Sequence, residues 1–387
     1  MSRFGDGLAT GPDLRVAAEQ ATASALTPLA GRTPDLVCVF VCADSPEEVE
    51  EAGRRVAELT GAAAVIGCSA GGVIGAGRGV EGVGAVSVFA AILPGVRVRT
   101  FHLEVIRADA GSAVIGLPER EGADVALLLA DPYSFPSDGF VAQSNTALPG
   151  LVVVGGLAAG LQGAGSTRLL VDGRAVDRGA VGVLLEGAAA TTIVSQGCRP
   201  VGPAMTVTAA AGNVITGLAG APALERVRGL LADLTPQDQA LASTGLQLGI
   251  AVDEYAEDHD FLIRGILGVD PDSGGIVVGD LVDVGRTVRL QVRDAETADT
   301  ALRAALAAHR RDTLDAPVGG ALLFSCNGRG AHLFAGPLGG ADHDPAVVQA
   351  HLTGNGVAGF FAGGELGPVA GRNHLHGFTA SLLAFPG

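Results

Sequence analysis

The chain has 387 residues, 48% of them hydrophobic and 17% charged, with a formal net charge of −16. That length holds two or three domains with a well-buried core, and the composition excludes disorder over most of it. The acidic balance excludes nucleic acid and anionic membrane surfaces as partners, and because all 25 basic residues are Arg, Schiff-base and P-loop chemistry, which need Lys, are excluded too.

Residues 1–33 are expected to form a helical or irregular lead-in. Their start, Met1-Ser2-Arg3-Phe4-Gly5-Asp6, lacks the basic and apolar segments of a secretory signal. Unit one follows, with a strand over 35–44 and a helix over 45–60. Ser45, Pro46, Glu47 and Glu48 give that helix an N-cap, a first-position Pro and first-turn acids, and Gly61 stops it. A short strand over 63–67 enters the turn Gly67-Cys68-Ser69-Ala70-Gly71, and 84–93 is the next strand. Unit two repeats the plan: strand 124–130, loop 131–138, helix 139–147, strand 151–155, turn Gly156-Leu157-Ala158-Ala159-Gly160, strand 180–186. Unit three has strand 320–325, helix 345–352, strand 356–361, turn Gly359-Phe360-Phe361-Ala362-Gly363 and strand 379–385. Between units two and three, 191–195, 213–218, 246–252, 261–268, 275–284 and 287–293 read as strands and 222–231 and 296–310 as helices. The strand–helix–strand order predicts parallel pairing of the first two strands in each unit. The fold class is α/β or α+β, with layered sheets, helices on their faces and two domains. The strand order stays open.

The uncharged stretch 140–167 is long enough to span a bilayer, but Pro149, Gln143, Asn145 and its glycines mark it as loop, helix and buried strand. The five cysteines, at 38, 42, 68, 198 and 326, form no CxxC pair. Reduced thiols in a cytoplasmic protein are expected.

Gly67-Cys68-Ser69-Ala70-Gly71 matches the Gly-x-Ser-x-Gly nucleophile elbow. An elbow must lead into a helix, and 72–77 is a poor helix former. The other two copies replace Ser69 by Ala158 and Phe361, which leaves a structural glycine–alanine frame. Ser325-Cys326-Asn327-Gly328-Arg329 ends the first strand of unit three. Arg beside Cys326 would lower a thiol pKa, but the plain reading is a small buried thiol. Arg329 suits a ligand carboxylate, and Glu365, in Gly363-Gly364-Glu365-Leu366-Gly367, suits a ligand ammonium. Together they form either a clamp for a zwitterion or a salt bridge with each other. Asn373-His374-Leu375-His376 lacks a third metal ligand at a diagnostic spacing, so no metal and no cofactor are expected. His332, His343 and His351 are expected at the surface.

"AAVIGCSAGGVIGAGRGVEGVGAVSVFA", "VVVGGLAAG" and "SQGCRPVGPAMTVTAAAGNVITGLAGAPALE" resemble the FIST N-terminal domain, and "LLFSCNGRG" and "GFFAGGELGPVAGRNHLHGFTASLLA" resemble the FIST C-terminal domain. The resemblance runs from about residue 34 to 385. The Gly and Pro run at 197–203 places a domain boundary near Pro200–Thr206, giving domains at 34–203 and 204–387, and the resemblance implies a sensory role in signal transduction and a small-molecule ligand such as an amino acid. No output domain is expected within this stretch, so a separate signalling partner is. The ligand-facing residues are expected to be Cys68, Ser69, Gly71, Gly72, Gly156, Ser325, Cys326, Arg329, Gly364, Glu365, Asn373 and His376. Two other readings stay open: a hydrolase or transferase using Cys326 or Ser69, and a non-catalytic interaction scaffold.

Overall fold

A computed structural model describes residues 1–108, 111–120, 122–254, 261–352, 354 and 356–387. The chain divides into two compact units. The first comprises 1–195, 302–375 and 379–387; the second comprises 196–301 and 376–378.

The first unit is a ring of three repeats. Each has a lead strand (Leu36–Cys42, Val125–Ala130, Val318–Cys326), a helix (Pro46–Thr60, Ser137–Ala147, His343–His351) and a turn strand (Ala64–Ser69, Val152–Leu157, Val357–Ala362). Lead and turn strands pair in parallel in all three, as the strand–helix–strand order predicts. A hairpin follows each turn strand, and a return strand (Ala85–Ile92, Ala180–Glu186, Thr379–Pro386) then pairs antiparallel with its lead strand.

The hairpins are exchanged around the ring. The repeat-one hairpin, Gly72–Gly75 with Arg78–Glu81, extends the repeat-three sheet. The repeat-two hairpin, Leu169–Val171 with Arg174–Val176, extends the repeat-one sheet. The repeat-three hairpin, Glu365–Val369 with Arg372–His376, extends the repeat-two sheet. One face of every sheet contributes to a single shared core, including Phe40 and Phe89, Leu127 and Val183, and Phe324, Phe360 and Phe385. The opposite faces carry the helices in separate clusters. Near-continuous apolar strands are what such two-sided burial demands.

Local chemistry sets the element limits. Helix Pro46–Thr60 starts with a capping box, Ser45 and Glu48 each bonding the other's backbone, and ends at Gly61 in the left-handed conformation (φ 56°). The lead-in differs from expectation: Arg3–Thr10 is a strand paired with Ala85–Ile92, followed by helix Leu14–Leu26 with Asp13 as N-cap. Its glycines read locally as irregular, yet they are what permits the packing. A Cβ on Gly5 or Gly7 would collide with the carbonyls of Ala25 or Ala21 on that helix.

In the second unit, Met205–Ala211, Val214–Leu218, Ile276–Val278, Phe261–Val269, Leu246–Ala251 and Thr287–Arg293 pair in that order, and the last pairs with both the first and the fifth. The strands thus close a barrel around Val207, Ile215, Leu248, Val278, Val288 and Leu290. Strand Met205–Ala211, whose apolar–polar alternation covers only Met205–Thr208, and helix Pro236–Gly245, which buries no residue, were not expected. Unit three, expected to join 204–318 in one domain, here closes the ring with units one and two, because its hairpin and sheet are both shared with them.

Candidate functional site

The three glycine turns converge. Ala159 N–H donates to Ser69 O (3.2 Å), Gly363 N–H to Leu157 O (2.9 Å) and Leu157 N–H to Gly364 O (2.8 Å). Turn two therefore lies between turns one and three. Register corrects the alignment of the copies. Val39, Leu128 and Leu323 face Gly67, Gly155 and Gly359, and a Cβ on any of these three would strike the facing carbonyl oxygen. The frame of copy two is therefore set by Gly155, not Gly156, and Ser69 corresponds to Leu157 and Phe361. The adjacent Gly155-Gly156 hid this shift in the sequence.

The same register exposes a chemical asymmetry. The hairpin residues paired beside the turn strands at Phe360, Cys68 and Gly156 are Val73, Leu169 and Glu365. All three are fully buried. Two repeats place an aliphatic side chain there and the third places a carboxylate.

Around Glu365 stands a charged cluster from repeat three. Arg329 is fully buried and grips Asp344 with two bonds, Nε to Oδ2 at 2.7 Å and Nη2 to Oδ1 at 2.9 Å. Ser325 Oγ donates to Asp344 Oδ2 (2.7 Å), and His343 Nδ1 lies 2.9 Å from Oδ1. The Phe334 ring stacks on His343 (centroids 3.6 Å apart) and lies under the guanidinium at 5.3 Å. Burial pushes the Asp344 carboxyl up, but the Arg329 charge with the His343, Arg329 and Ser325 hydrogen bonds brings it well below the usual carboxylate range. Burial opposes the charge of Arg329, and Asp344 more than restores it.

The salt bridge of Arg329 is thus with Asp344 rather than Glu365. Arg329 Nη1 has no hydrogen-bond partner among the described residues. Glu365 Oε2 accepts from Thr379 N–H (3.1 Å) and Thr379 Oγ1 (2.7 Å), whereas Oε1 has no partner among them. Burial raises the Glu365 pKa to about 8, against the Thr379 bonds, the Cys326 thiol and the Arg329 charge. Two unlike buried groups each keep one unsatisfied atom, where such groups are normally paired.

The remaining expected residues fall out as follows. Ser325, Cys326 and Gly364 belong to this neighbourhood. Ser69 is buried, its Oγ accepts from Arg168 N–H (3.3 Å), and the chain after it enters a hairpin strand rather than the helix of an elbow. Cys68 lies in the shared core, where burial and nearby Cys38 push its thiol well up. Gly71 faces Gly160, a Cβ on Gly72 would meet Glu81, Val80 and Phe361, and one on Gly156 would meet Ala362 and Phe360. Those three glycines serve packing between turns.

The Asn373 carboxamide bonds Ser144 Oγ, Leu151 O and Val153 N–H, so it brackets its own strand and helix neighbours. It also borders a separate open cleft of about 570 Å³ lined by Asn145, Leu148, Pro368 and Arg372. His376 falls in the second compact unit. Among the expected surface histidines, His343 is instead buried, because it stacks on Phe334 and bonds Asp344. Asp344, Thr379 and Glu81 escaped the sequence reading; Glu81 Oε2 accepts from Ala331 N–H (2.8 Å) and pins the loop after Arg329. The only signal for Asp344 was an acid immediately before the helix expected over 345–352. No group of three or more His, Cys, Asp and Glu with metal-binding geometry occurs among the described residues.

Fold and site together define a mixed α/β protein whose three-repeat ring buries a charged centre. The FIST N domain model matches residues 35–221 and the FIST C domain model 223–368. An uncharacterized protein of Mycobacterium tuberculosis is 45% identical over 387 residues, covering 99% of both chains. An uncharacterized protein of Mycobacterium bovis is 42% identical over 389 residues, covering 99% of this chain and 98% of its own. The chain belongs to the FIST family, whose domains are associated with sensory roles in signal transduction. The border between the two models falls inside the second compact unit, so the family's N and C domains do not coincide with the compact units. No helix among the described residues is long and apolar enough to cross a membrane.

Proposed function

We propose that this protein is a non-enzymatic sensor for a small zwitterion of the amino-acid class, held between Arg329 and Glu365. The observation that carries the reading is the pair of unsatisfied buried atoms, Arg329 Nη1 and Glu365 Oε1. A ligand carboxylate would accept from Nη1 and a ligand ammonium would donate to Oε1, removing both desolvation costs. Both side chains are fully buried, so loading requires the connection 327–342 to lift. That connection contains Gly328, Gly330, Gly336, Gly339 and Gly340 and is tied down through Ala331 by Glu81. Five free, buried cysteines favour a cytoplasmic setting.

A thermal-shift screen of amino acids and related amine–carboxylates tests this. Binding to the folded state adds about 2.7 kcal/mol of stability at a hundredfold excess over Kd, which raises the melting temperature. A folded, ligand-free preparation that responds to no member of the screen contradicts the proposal.

A further inference from the structure

We propose that Glu365 carries a proton in the empty site and releases it when a ligand ammonium occupies Oε1, so that sensing is linked to pH. This rests on the reading above and adds a regulatory term to it.

Oε2 already takes both Thr379 donors, and no described residue donates to Oε1. The Arg329 guanidinium is committed to Asp344 through two bonds. The elements packed against strand Glu365–Val369 offer little else. Val152–Leu157 and Thr379–Pro386 contain no titratable side chain, and Val318–Cys326 contributes the Cys326 thiol, whose hydrogen bond to the carboxyl is outweighed by burial. The hairpin mate Arg372–His376 carries Arg372, His374 and His376. Oε1 is therefore the oxygen that a proton occupies by default. The raised Glu365 pKa, about 8, agrees with this placement. On binding, the ammonium N–H replaces the carboxyl O–H: a protonated Glu365 plus a cationic amine give a carboxylate–ammonium pair plus one proton passed to solvent. Affinity then rises by about tenfold per pH unit below the Glu365 pKa and levels off above it.

Infrared titration of the carboxylic-acid C=O band in wild type and Glu365→Gln comes first. The expected result is a band present at pH 7, lost as pH rises through about 8, and missing in the variant. A Glu365 band that titrates in the ordinary glutamate range overturns the proposal and leaves the sensor reading intact. Calorimetric titration of glycine and of methylammonium follows, in two buffers of different ionisation enthalpy. Release of close to one proton per bound molecule supports the linkage. Binding without proton release overturns it, and so does a protonated Glu365 that neither compound displaces. The thermal-shift screen decides the zwitterion reading separately.

Discussion

Replacing Glu365 by Leu strands the buried Thr379 donors at a cost independent of pH, but it removes the titrating carboxyl, so the stability of the variant relative to wild type should rise with pH. The two equivalent positions already hold Val73 and Leu169, so an aliphatic side chain fits the frame. A glutamate whose folded-state pKa lies above its unfolded value costs nothing below the unfolded pKa and destabilises increasingly as pH rises to the folded one. Here the window runs from 4.5 to about 8. At about 1.4 kcal/mol per unit, the penalty at pH 7 is roughly 3 kcal/mol. Chemical denaturation of wild type, Glu365→Leu and Glu365→Gln at several pH values between 4.5 and 9 reads it directly. The stability of the Leu variant relative to wild type should rise by about 1.4 kcal/mol per pH unit and flatten above pH 8. A gap independent of pH refutes the reasoning.

Removing one partner of the buried pair, by Asp344→Asn, should cost about 3–5 kcal/mol because it strands the Arg329 charge, whereas Ser325→Ala should cost about 1 kcal/mol; denaturant midpoints separate the two. Gly359→Ala should destabilise by about 1–3 kcal/mol or more, since its Cβ meets Leu323 O, while helical Gly139→Ala, with open space around it, should stabilise by about 0.5–1 kcal/mol. His309 and His351 share a ring-to-ring contact of 3.3 Å in which at most one can be the donor, and burial lowers both pKa values below 6.5. Stability should therefore be complete above pH 6.5 and fall as pH drops through the lowered values, and His309→Gln should weaken this acid sensitivity in melting curves.

The legible parts of the chain were those governed by local chemistry. The Ser45 capping box, the Gly61 stop and the apolar lead strands are written in short runs, and the parallel pairs followed from element order. Hairpin exchange could not be read, because Val73, Leu169 and Glu365 pair with strands far from them in sequence. The off-by-one register of turn two has the same origin: Gly155 and Gly156 look alike until a facing carbonyl picks one. Arg329 and Glu365 stood out as charges among glycines. Their true arrangement did not, because Asp344 reaches Arg329 from a helix whose first-turn acid looks like ordinary dipole compensation. Arg3–Thr10 was missed because its glycines are required by helix packing, which propensity does not report.

The most direct measurement of the central claim is a crystal structure of the protein with the strongest amino-acid hit of the thermal screen. Density is expected between Arg329 and Glu365, with the ligand carboxylate against Nη1 and its ammonium against Oε1. Density confined to the 570 Å³ cleft beside Asn373, with the buried centre unchanged, would contradict that claim.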